Sequence, residues 1–281
     1  MSRSNQATWR CAFCGNPGSK SAEHVLPQWL RAGTAPLPMQ RTSYWTGFGL
    51  RDDKQAYASV DPAVRESRNS MLHQTTRAVC VSCNNGWMSR LETKVKPIME
   101  SLFHSRRTGN TLTLPPAEAS TLARWAVKTS WTAELSGLGN QNQDQTWLSP
   151  HALKQFASRD VPPTVSWVWL ASHQDLDRVE QMQAHVAIDR TSPPAPGEAA
   201  RRLHASALVI NGIVLVVYNF ESREHFPPPF RPMHGLRLWP RPTAVEFPPP
   251  EVSHQEVTGA IAHYGHWFPL HNRAFDHSTR I

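Results

Sequence analysis

The four cysteines of this chain form two Cys-x-x-Cys pairs, Cys11 with Cys14 and Cys80 with Cys83, and none is left over. Two such pairs supply the four thiolates that one tetrahedral zinc ion binds. Gly15 directly follows the first pair, where it permits a tight turn. Because four thiolates leave no open coordination position, the predicted zinc site is structural rather than catalytic.

The spacing between the pairs predicts an insertion. Sixty-five residues separate Cys14 from Cys80, more than an ordinary zinc ribbon contains, so we expect an inserted segment at residues 31–79. Basic residues alternate there with Tyr44, Trp45 and Phe48, and this mixture can bind nucleic acid by charge and stacking. An ordinary irregular loop has the same composition. The basic residues of the segment are Arg31, Arg41, Arg51, Lys54, Arg65, Arg68 and Arg77.

Two disulfides, or a redox-active Cys-x-x-Cys, are the alternatives to zinc. The N-terminal residues lack the apolar run of a signal peptide, so we expect a cytoplasmic protein whose thiols stay reduced. The longest apolar stretch, residues 205–220, contains Asn211-Gly212 and predicts a β-hairpin rather than a membrane span. We therefore expect zinc, and no membrane partner.

Charge is distributed unevenly along the chain, whose formal net charge is +7. Residues 1–110 contain 15 Lys and Arg against 7 Asp and Glu, whereas residues 111–281 contain 14 against 15. The basic excess therefore lies entirely in the N-terminal part. Such an asymmetry predicts that this part binds a polyanion, although a solvated basic surface would show the same counts.

Chemically active residues follow each cysteine pair. Glu23 and His24 come shortly after Cys14, and Asn84 directly follows Cys83. A zinc ion that joins the two pairs would bring these three side chains together. Carboxylate and amide oxygens suit a hard divalent cation, and a neutral imidazole can take a proton from water near pH 7. Taken singly, each residue also has a structural explanation, as a helix-start carboxylate, a hydrogen-bonded histidine or a helix cap.

This order of motifs resembles the zinc-containing HNH (ββα-metal) endonucleases, particularly the endonuclease VII-like members with a four-cysteine zinc. The resemblance covers about residues 9–95 and implies a ββα element that holds one catalytic Mg²⁺ or Mn²⁺. It implies that His24 is the general base, that Glu23 is a metal ligand, and that Asn84 binds the metal or holds the loop of the base. Glu23 stands where many members have Asp or His.

The third ligand position of that family is usually a His or Asn on the following helix. This sequence has no His between residues 74 and 103, so Glu92 is the nearest acidic candidate, and Asn85 is another candidate. The helix itself is predicted by apolar residues at three- and four-residue spacing, which are Met88, Leu91, Val95, Ile98 and Leu102. We expect Pro97 to end or kink it. Three basic residues outside the apolar stripe are candidates for binding nucleic acid, namely Arg90, Lys94 and Lys96.

The predicted fold class is α+β, with a zinc-stabilised ββα-metal (HNH) domain at residues 1–110 and a mixed α+β domain of unknown role at residues 111–281. In the second domain we expect helices at 117–135 and from Pro150, a strand at 165–171, and a hairpin at 205–220. The near-neutral charge of this region argues against a second basic groove.

The sequence thus predicts a metal-dependent endonuclease that hydrolyses DNA, with structural Zn²⁺ and catalytic Mg²⁺ or Mn²⁺. Two alternatives stay open. One is a non-catalytic zinc module that binds nucleic acid or protein, and the other is a toxin-like nuclease that cleaves RNA. A homodimer is compatible with all three.

Overall fold

The computed structural model describes residues 9–33, 40–47, 63–67, 71–136, 148–163, 165–188, 201–220 and 235–261. Its helices are α1 (Val81–Cys83), α2 (Ser89–Thr108), α3 (Pro116–Leu135) and α4 (Pro150–Ser158). Its strands are β1 (Glu23–His24), β2 (Gln40–Gly47), β3 (Ala63–Ser67), β4 (Thr75–Thr76), β5 (Leu112–Leu114), β6 (Ser166–His173), β7 (Val179–Ile188), β8 (Arg201–Ile210), β9 (Ile213–Phe220), β10 (Leu236–Trp239), β11 (Val245–Phe247) and β12 (Glu251–Val252).

Shorter helical pieces complete the described chain. Gln28–Gly33 and Met71–His73 are 3₁₀ helices, Asn84–Met88 is a π-helical turn between α1 and α2, and residues 254–261 are helical. The protein is therefore of mixed α and β structure, as predicted. Within the described residues, no helix is both long enough and apolar enough to cross a bilayer.

The cysteine-containing region is built on a small ladder. β1 pairs with β4 in antiparallel register, with Glu23 opposite Thr76 and His24 opposite Thr75. The chain then passes through α1 and the π-helical turn into α2. The apolar stripe predicted for this helix is confirmed, since Met88, Leu91, Val95, Ile98 and Leu102 are all buried.

Of the two effects expected of Pro97, an end of α2 is wrong, and a kink stays a prediction. The helix continues through Pro97 to Thr108 and ends at Gly109, which adopts a left-handed conformation with φ of 73°. A proline inside a helix costs about 3 kcal/mol. Burial of the apolar stripe on both sides of Pro97 outweighs that cost, because each fully buried Leu, Ile or Val contributes about 1.5–3 kcal/mol.

A large sheet occupies the centre of the structure, with strand order β10-β6-β9-β8-β7-β2-β3. Neighbours along this order are antiparallel except β2 and β7, which run parallel, and β12 pairs with the end of β6 in parallel. The predicted hairpin is confirmed as β8 and β9. Asn211 and Gly212 form its turn with φ of 48° and 79°, which is the pattern of a type I′ turn.

The two faces of the sheet bury different elements. Leu208, Leu215 and Leu170 belong to the core that also contains the apolar residues of α2 and α3. Val209, Val216 and Ala171, which alternate with them, pack with Val257 and Ile261 of the segment at 254–261. Strands with apolar residues on both faces are typical of a sheet that is covered on both sides.

The N-terminal part and the rest of the chain contribute to one apolar core and to the same large sheet. One apolar core contains Cys11, Phe13 and Met88 together with residues of α3 and of the large sheet. The insertion between the cysteine pairs contributes β2 and β3, which extend the sheet at β7. The cysteine-containing region is therefore anchored on the elements that follow residue 110.

Candidate functional site

The four cysteines converge. Their Sγ atoms all lie within 4.8 Å of one another, and none of the four forms a disulfide. The Sγ atoms of Cys14 and Cys80 are 3.8 Å apart, which is about the separation that a tetrahedral zinc with Zn–S bonds near 2.3 Å requires. The cluster is therefore consistent with a structural metal such as zinc, and the residues fit that group.

Backbone contacts hold the two cysteine pairs together independently of the sulfur atoms. Ala12 donates its backbone N–H to the carbonyl of Ala78 at 2.9 Å, and Val81 donates to the carbonyl of Ser19 at 3.0 Å. The backbone N–H of Cys80 also points at Sγ of Cys11, 3.3 Å away. The hydrogen bond with the Cys83 side chain lowers the pKa of Cys11 to about 4, which favours a thiolate.

Two of the predicted metal ligands meet at a lysine. Lys128 of α3 is fully buried and donates its Nζ to the carboxylates of both Glu23 and Glu92, the second at 2.8 Å. Glu23 is itself 4% exposed, and the side chain of Glu92 is 23% exposed. The structure thus brings Glu23 and Glu92 together, with an ammonium group between them.

The charges of this cluster do not balance, since one ammonium faces two carboxylates. Burial raises the pKa of Glu23 and the neighbouring Glu92 raises it further, although Lys128 opposes both effects. Burial alone would lower the pKa of Lys128, but the charges of Glu23 and Glu92 outweigh it and raise that pKa. The lysine therefore stays protonated.

A catalytic divalent ion does not fit this pair of carboxylates as the side chains stand. Their oxygen atoms are the donors that Mg²⁺ or Mn²⁺ prefers. However, the ammonium of Lys128 hydrogen bonds to both of them from inside the core. A divalent ion bound by both would have to displace a fully buried cation, and the two positive charges would repel each other.

His24 follows Glu23 in β1, and successive residues of a strand point to opposite sides. Its imidazole is half-buried and contacts the side-chain amide of Gln28, whose Nε2 is 3.3 Å from Nε2 and 3.5 Å from Nδ1 of the ring. An amide nitrogen donates hydrogen bonds, so this contact favours a ring nitrogen without a proton. His24 therefore lies on the other side of β1 from the cluster around Lys128.

Asn84 begins the π-helical turn directly after Cys83. Its backbone N–H donates to the carbonyl of Cys80 at 3.0 Å, and the residue is half-buried, whereas Asn85 is exposed. Gly86 departs from helical geometry inside the turn, with φ of −92° and ψ of −108°. Such π-turns recur at functional sites. The position of Asn84 is thus fixed by the backbone of the second cysteine pair.

The basic residues predicted to bind nucleic acid lie on α2. Arg90, Lys94 and Lys96 are all exposed. Lys96 forms a weak ion pair of 3.9 Å with Glu100, one turn further along the helix. The aromatic residues of the insertion, Tyr44, Trp45 and Phe48, have side chains outside the described part of the structure.

Sequence reasoning missed Lys128 and Arg124, both on α3. Arg124 is 5% exposed, donates to Asp160 at 2.8 Å and lies 5.2 Å from the ring of Trp87. A signal does exist in the sequence, because both residues stand among the apolar Leu122, Trp125, Val127 and Trp131, and a charged residue in such surroundings is rarely buried without a partner.

No protein-family model, curated protein or solved structure matches this chain.

Proposed function

We propose that this protein is an HNH-type endonuclease that hydrolyses phosphodiester bonds, with DNA as the preferred substrate and His24 as the general base. The observation that carries the proposal is the sequence of elements around the cysteine cluster. An antiparallel ladder of β1 and β4 presents the Glu-His pair, and a helical segment starting with the second cysteine pair and Asn84 follows it. Two strands and a helix in this order are the arrangement that the ββα-metal resemblance implies.

The chemistry assigned to His24 requires an accessible, neutral imidazole. The ring is half-buried rather than enclosed, and the ring nitrogen that accepts from the amide of Gln28 carries no proton, so a water molecule must replace that amide to reach its lone pair. In the proposal this nitrogen deprotonates a water molecule, which attacks the phosphorus atom in line with the leaving oxygen. General base catalysis of this kind contributes about 10²- to 10⁴-fold to the rate.

The proposal includes Mg²⁺ or Mn²⁺, which would stabilise the charge that develops on the phosphate. Its candidate ligands are Glu23, Asn84 and Glu92, of which the two carboxylates hydrogen bond to Lys128 instead. The ion therefore enters the proposal only through the resemblance, and no step of the reaction depends on it. The chain's own contribution is the position of the base beside a rigid cysteine cluster.

The test is cleavage of supercoiled plasmid DNA by zinc-loaded wild type, His24→Ala and His104→Ala. Each protein is assayed without added divalent ion, with Mg²⁺ and with Mn²⁺. His104 is exposed on α2 and serves as the matched control. We expect His24→Ala to lower the cleavage rate by about 100-fold or more while zinc content stays at one ion per chain, and His104→Ala to retain the wild-type rate. Equal cleavage by wild type and His24→Ala would overturn the assignment of the base.

A non-catalytic zinc module that binds nucleic acid or protein is the second candidate. The observation that favours it is Lys128, because a lysine that hydrogen bonds to both Glu23 and Glu92 is compatible with a purely structural role for the two carboxylates. This candidate predicts zinc binding without cleavage of plasmid DNA. The third candidate, an RNA-cleaving nuclease, is distinguished by giving the same variants a structured RNA under the same conditions.

A further inference from the structure

Three segments, residues 9–22, 71–91 and 148–159, meet around the cysteine cluster. Phe13, Trp87 and Phe156, one from each segment, are in mutual contact, with ring centroids 5.5 to 6.4 Å apart. The three segments contain no Asp or Glu, and their six cations are Arg10, Lys20, Arg77, Arg90, Lys154 and Arg159. The first acidic residues beyond their C-terminal ends are Glu23, Glu92 and Asp160, and these pair with Lys128 and Arg124 rather than with the six cations.

Two of these cations converge on the first cysteine pair at Gly15. Nη1 of Arg10 donates to the carbonyl of Gly15 at 3.0 Å. The side chain of Lys154, from α4, lies so close to Gly15 that a Cβ on that glycine would be 2.5 Å from Cε and 3.0 Å from Nζ. Gly15 has φ of 72°, so this backbone conformation itself favours glycine. The turn after Cys14 thus lies between two cationic side chains.

A third cation borders the same cluster. Lys20 forms a β-bridge with Cys80, and its Nζ lies 5.6 Å from the ring centroid of Trp9, the neighbour of Arg10. Arg10, Lys20 and Lys154 are all exposed. Among the residues that the structure describes, none of these three forms an ion pair with a carboxylate.

Neutralisation of the zinc thiolates accounts for only part of this charge. Zn²⁺ with four thiolates carries a formal charge of about −2, whereas the three segments carry six cations. Arg10, Lys20 and Lys154 are exposed, and the ring of Trp9 borders them. Proteins that bind nucleic acid without sequence preference combine the same features, namely cations for the phosphates and aromatic rings for stacking.

We propose that Arg10, Lys20 and Lys154 form a phosphate-binding surface over the cysteine cluster and that the nucleic-acid backbone lies across it. This inference rests on the proposed function only for its choice of nucleic acid as the polyanion. It places the interaction on the first cysteine pair and on α4, rather than on α2 alone. Lys154 would thereby give the chain beyond residue 110 a direct role in substrate binding.

The experiment is fluorescence anisotropy with a labelled 20-base-pair DNA duplex and its single strand, titrated at several NaCl concentrations. The proteins are zinc-loaded wild type, Arg10→Gln, Lys20→Gln and Lys154→Gln. Arg241→Gln is the charge-matched control, since Arg241 is exposed on the segment between β10 and β11 and lies outside the three segments. The slope of log K against log[NaCl] is negative. Removal of one cation that binds a phosphate should reduce its magnitude by about 0.9 for the duplex and about 0.7 for the single strand.

We expect each of the three variants to reduce the magnitude of the slope by about this amount and to weaken binding several-fold in 0.1 M salt. Arg241→Gln should change neither the slope nor the affinity. Unchanged slopes for all three variants would overturn the inference. A second result would also overturn the inference: the variants lose bound zinc, but the fraction of each that retains zinc binds nucleic acid normally. The cations would then serve only the thiolates. Absence of binding by wild type to both probes would overturn it as well.

These outcomes are separable from those of the cleavage experiment. Binding that depends on Arg10, Lys20 and Lys154 in a protein that cleaves neither DNA nor RNA would support the surface and overturn the nuclease proposal. Cleavage that requires His24, with salt slopes unaffected by the three substitutions, would support the nuclease proposal and overturn the surface.

Discussion

Lys128 of α3 and Glu23 of β1 form an ion pair in the interior of the protein, where the lysine is fully buried and the carboxylate is 4% exposed. Glu92 of α2 accepts from the same ammonium. The pair joins the strand that contains His24 to a helix more than a hundred residues later in the chain. It thereby fixes the orientation of β1 relative to the apolar core.

Replacement of Lys128 by Met should destabilise the protein strongly. Methionine fills a similar volume, but Glu23 and Glu92 are left facing each other without a cation. Breaking a buried ion pair by removing one partner costs about 3–5 kcal/mol. We expect a loss of this size in the free energy of unfolding by urea at pH 7, whereas Lys94→Met, at an exposed position of α2, should change it by less than about 0.5 kcal/mol.

Lys128→Met also tests whether Lys128 excludes a divalent ion. If Lys128→Met folds, Glu23 and Glu92 become accessible to Mn²⁺, which the paramagnetic broadening of nearby resonances or isothermal titration would detect. Wild type should bind no Mn²⁺ through these carboxylates, and Lys128→Met/Glu23→Gln should bind less than Lys128→Met. Mn²⁺ binding by wild type that is abolished in Glu23→Gln would show that the lysine yields to the metal.

The raised pKa of Glu23 predicts a pH-dependent contribution to stability. A carboxyl group whose pKa is higher in the folded than in the unfolded protein stabilises the fold below its unfolded pKa, and this contribution is lost as the pH rises through the folded value. The loss therefore starts near pH 4.5, the ordinary value for Glu, and continues above it. Glu23→Gln removes this titration.

The measurement is the free energy of unfolding by urea of wild type and Glu23→Gln at pH 4.5 and pH 7.5. The difference between the two proteins should shift in favour of Glu23→Gln at the higher pH. Lys128 keeps its charge throughout this range, because its raised pKa keeps it protonated. A difference that is the same at both pH values would contradict the burial of an excess negative charge at Glu23.

The zinc assignment predicts one zinc ion per chain and a fold that depends on it. Cys83→Ser should reduce the zinc content well below one ion per chain, measured by mass spectrometry of the metal, and should lower the urea midpoint. Ser82→Ala changes an exposed neighbour and should affect neither. Because binding free energy of a structural zinc is folding free energy, retention of full stability by a zinc-free Cys83→Ser protein would rule out a structural role.

Local sequence patterns predict the parts of this structure that depend on nearby residues. The apolar stripe of α2, the turn at Asn211-Gly212 and the convergence of the two cysteine pairs all follow from spacing. The end of α2 predicted at Pro97 is wrong, because the local cost of the proline is offset by burial that depends on the rest of the fold. The parallel pairing of β2 with β7 has no local signal, since it joins residues more than 130 positions apart.

The candidate site also contains some residues that local spacing predicts and some contacts that only the fold determines. Spacing from the cysteines makes Glu23, His24 and Asn84 candidates, but it does not distinguish the two sides of β1. The partner of Glu23 lies on a helix whose position follows from core packing, and a sequence motif does not contain that information. The one signal in the sequence is Lys128, a lysine among apolar residues of α3. The fold determines which carboxylates it contacts.

Asn84 provides the sharpest test of the helical turn after the second cysteine pair. Its backbone is fixed by the hydrogen bond to Cys80, so substitution of the side chain should leave the turn and the cysteine cluster intact. If Asn84 binds the metal or holds the base-bearing strand, Asn84→Ala should lower plasmid cleavage by about 10- to 100-fold, the usual cost of losing a residue that orients a metal site. Ser89→Ala, at an exposed position at the start of α2, should cleave at the wild-type rate. The comparison is made at equal zinc content, and equal rates for the two variants would restrict Asn84 to the role of a helix cap.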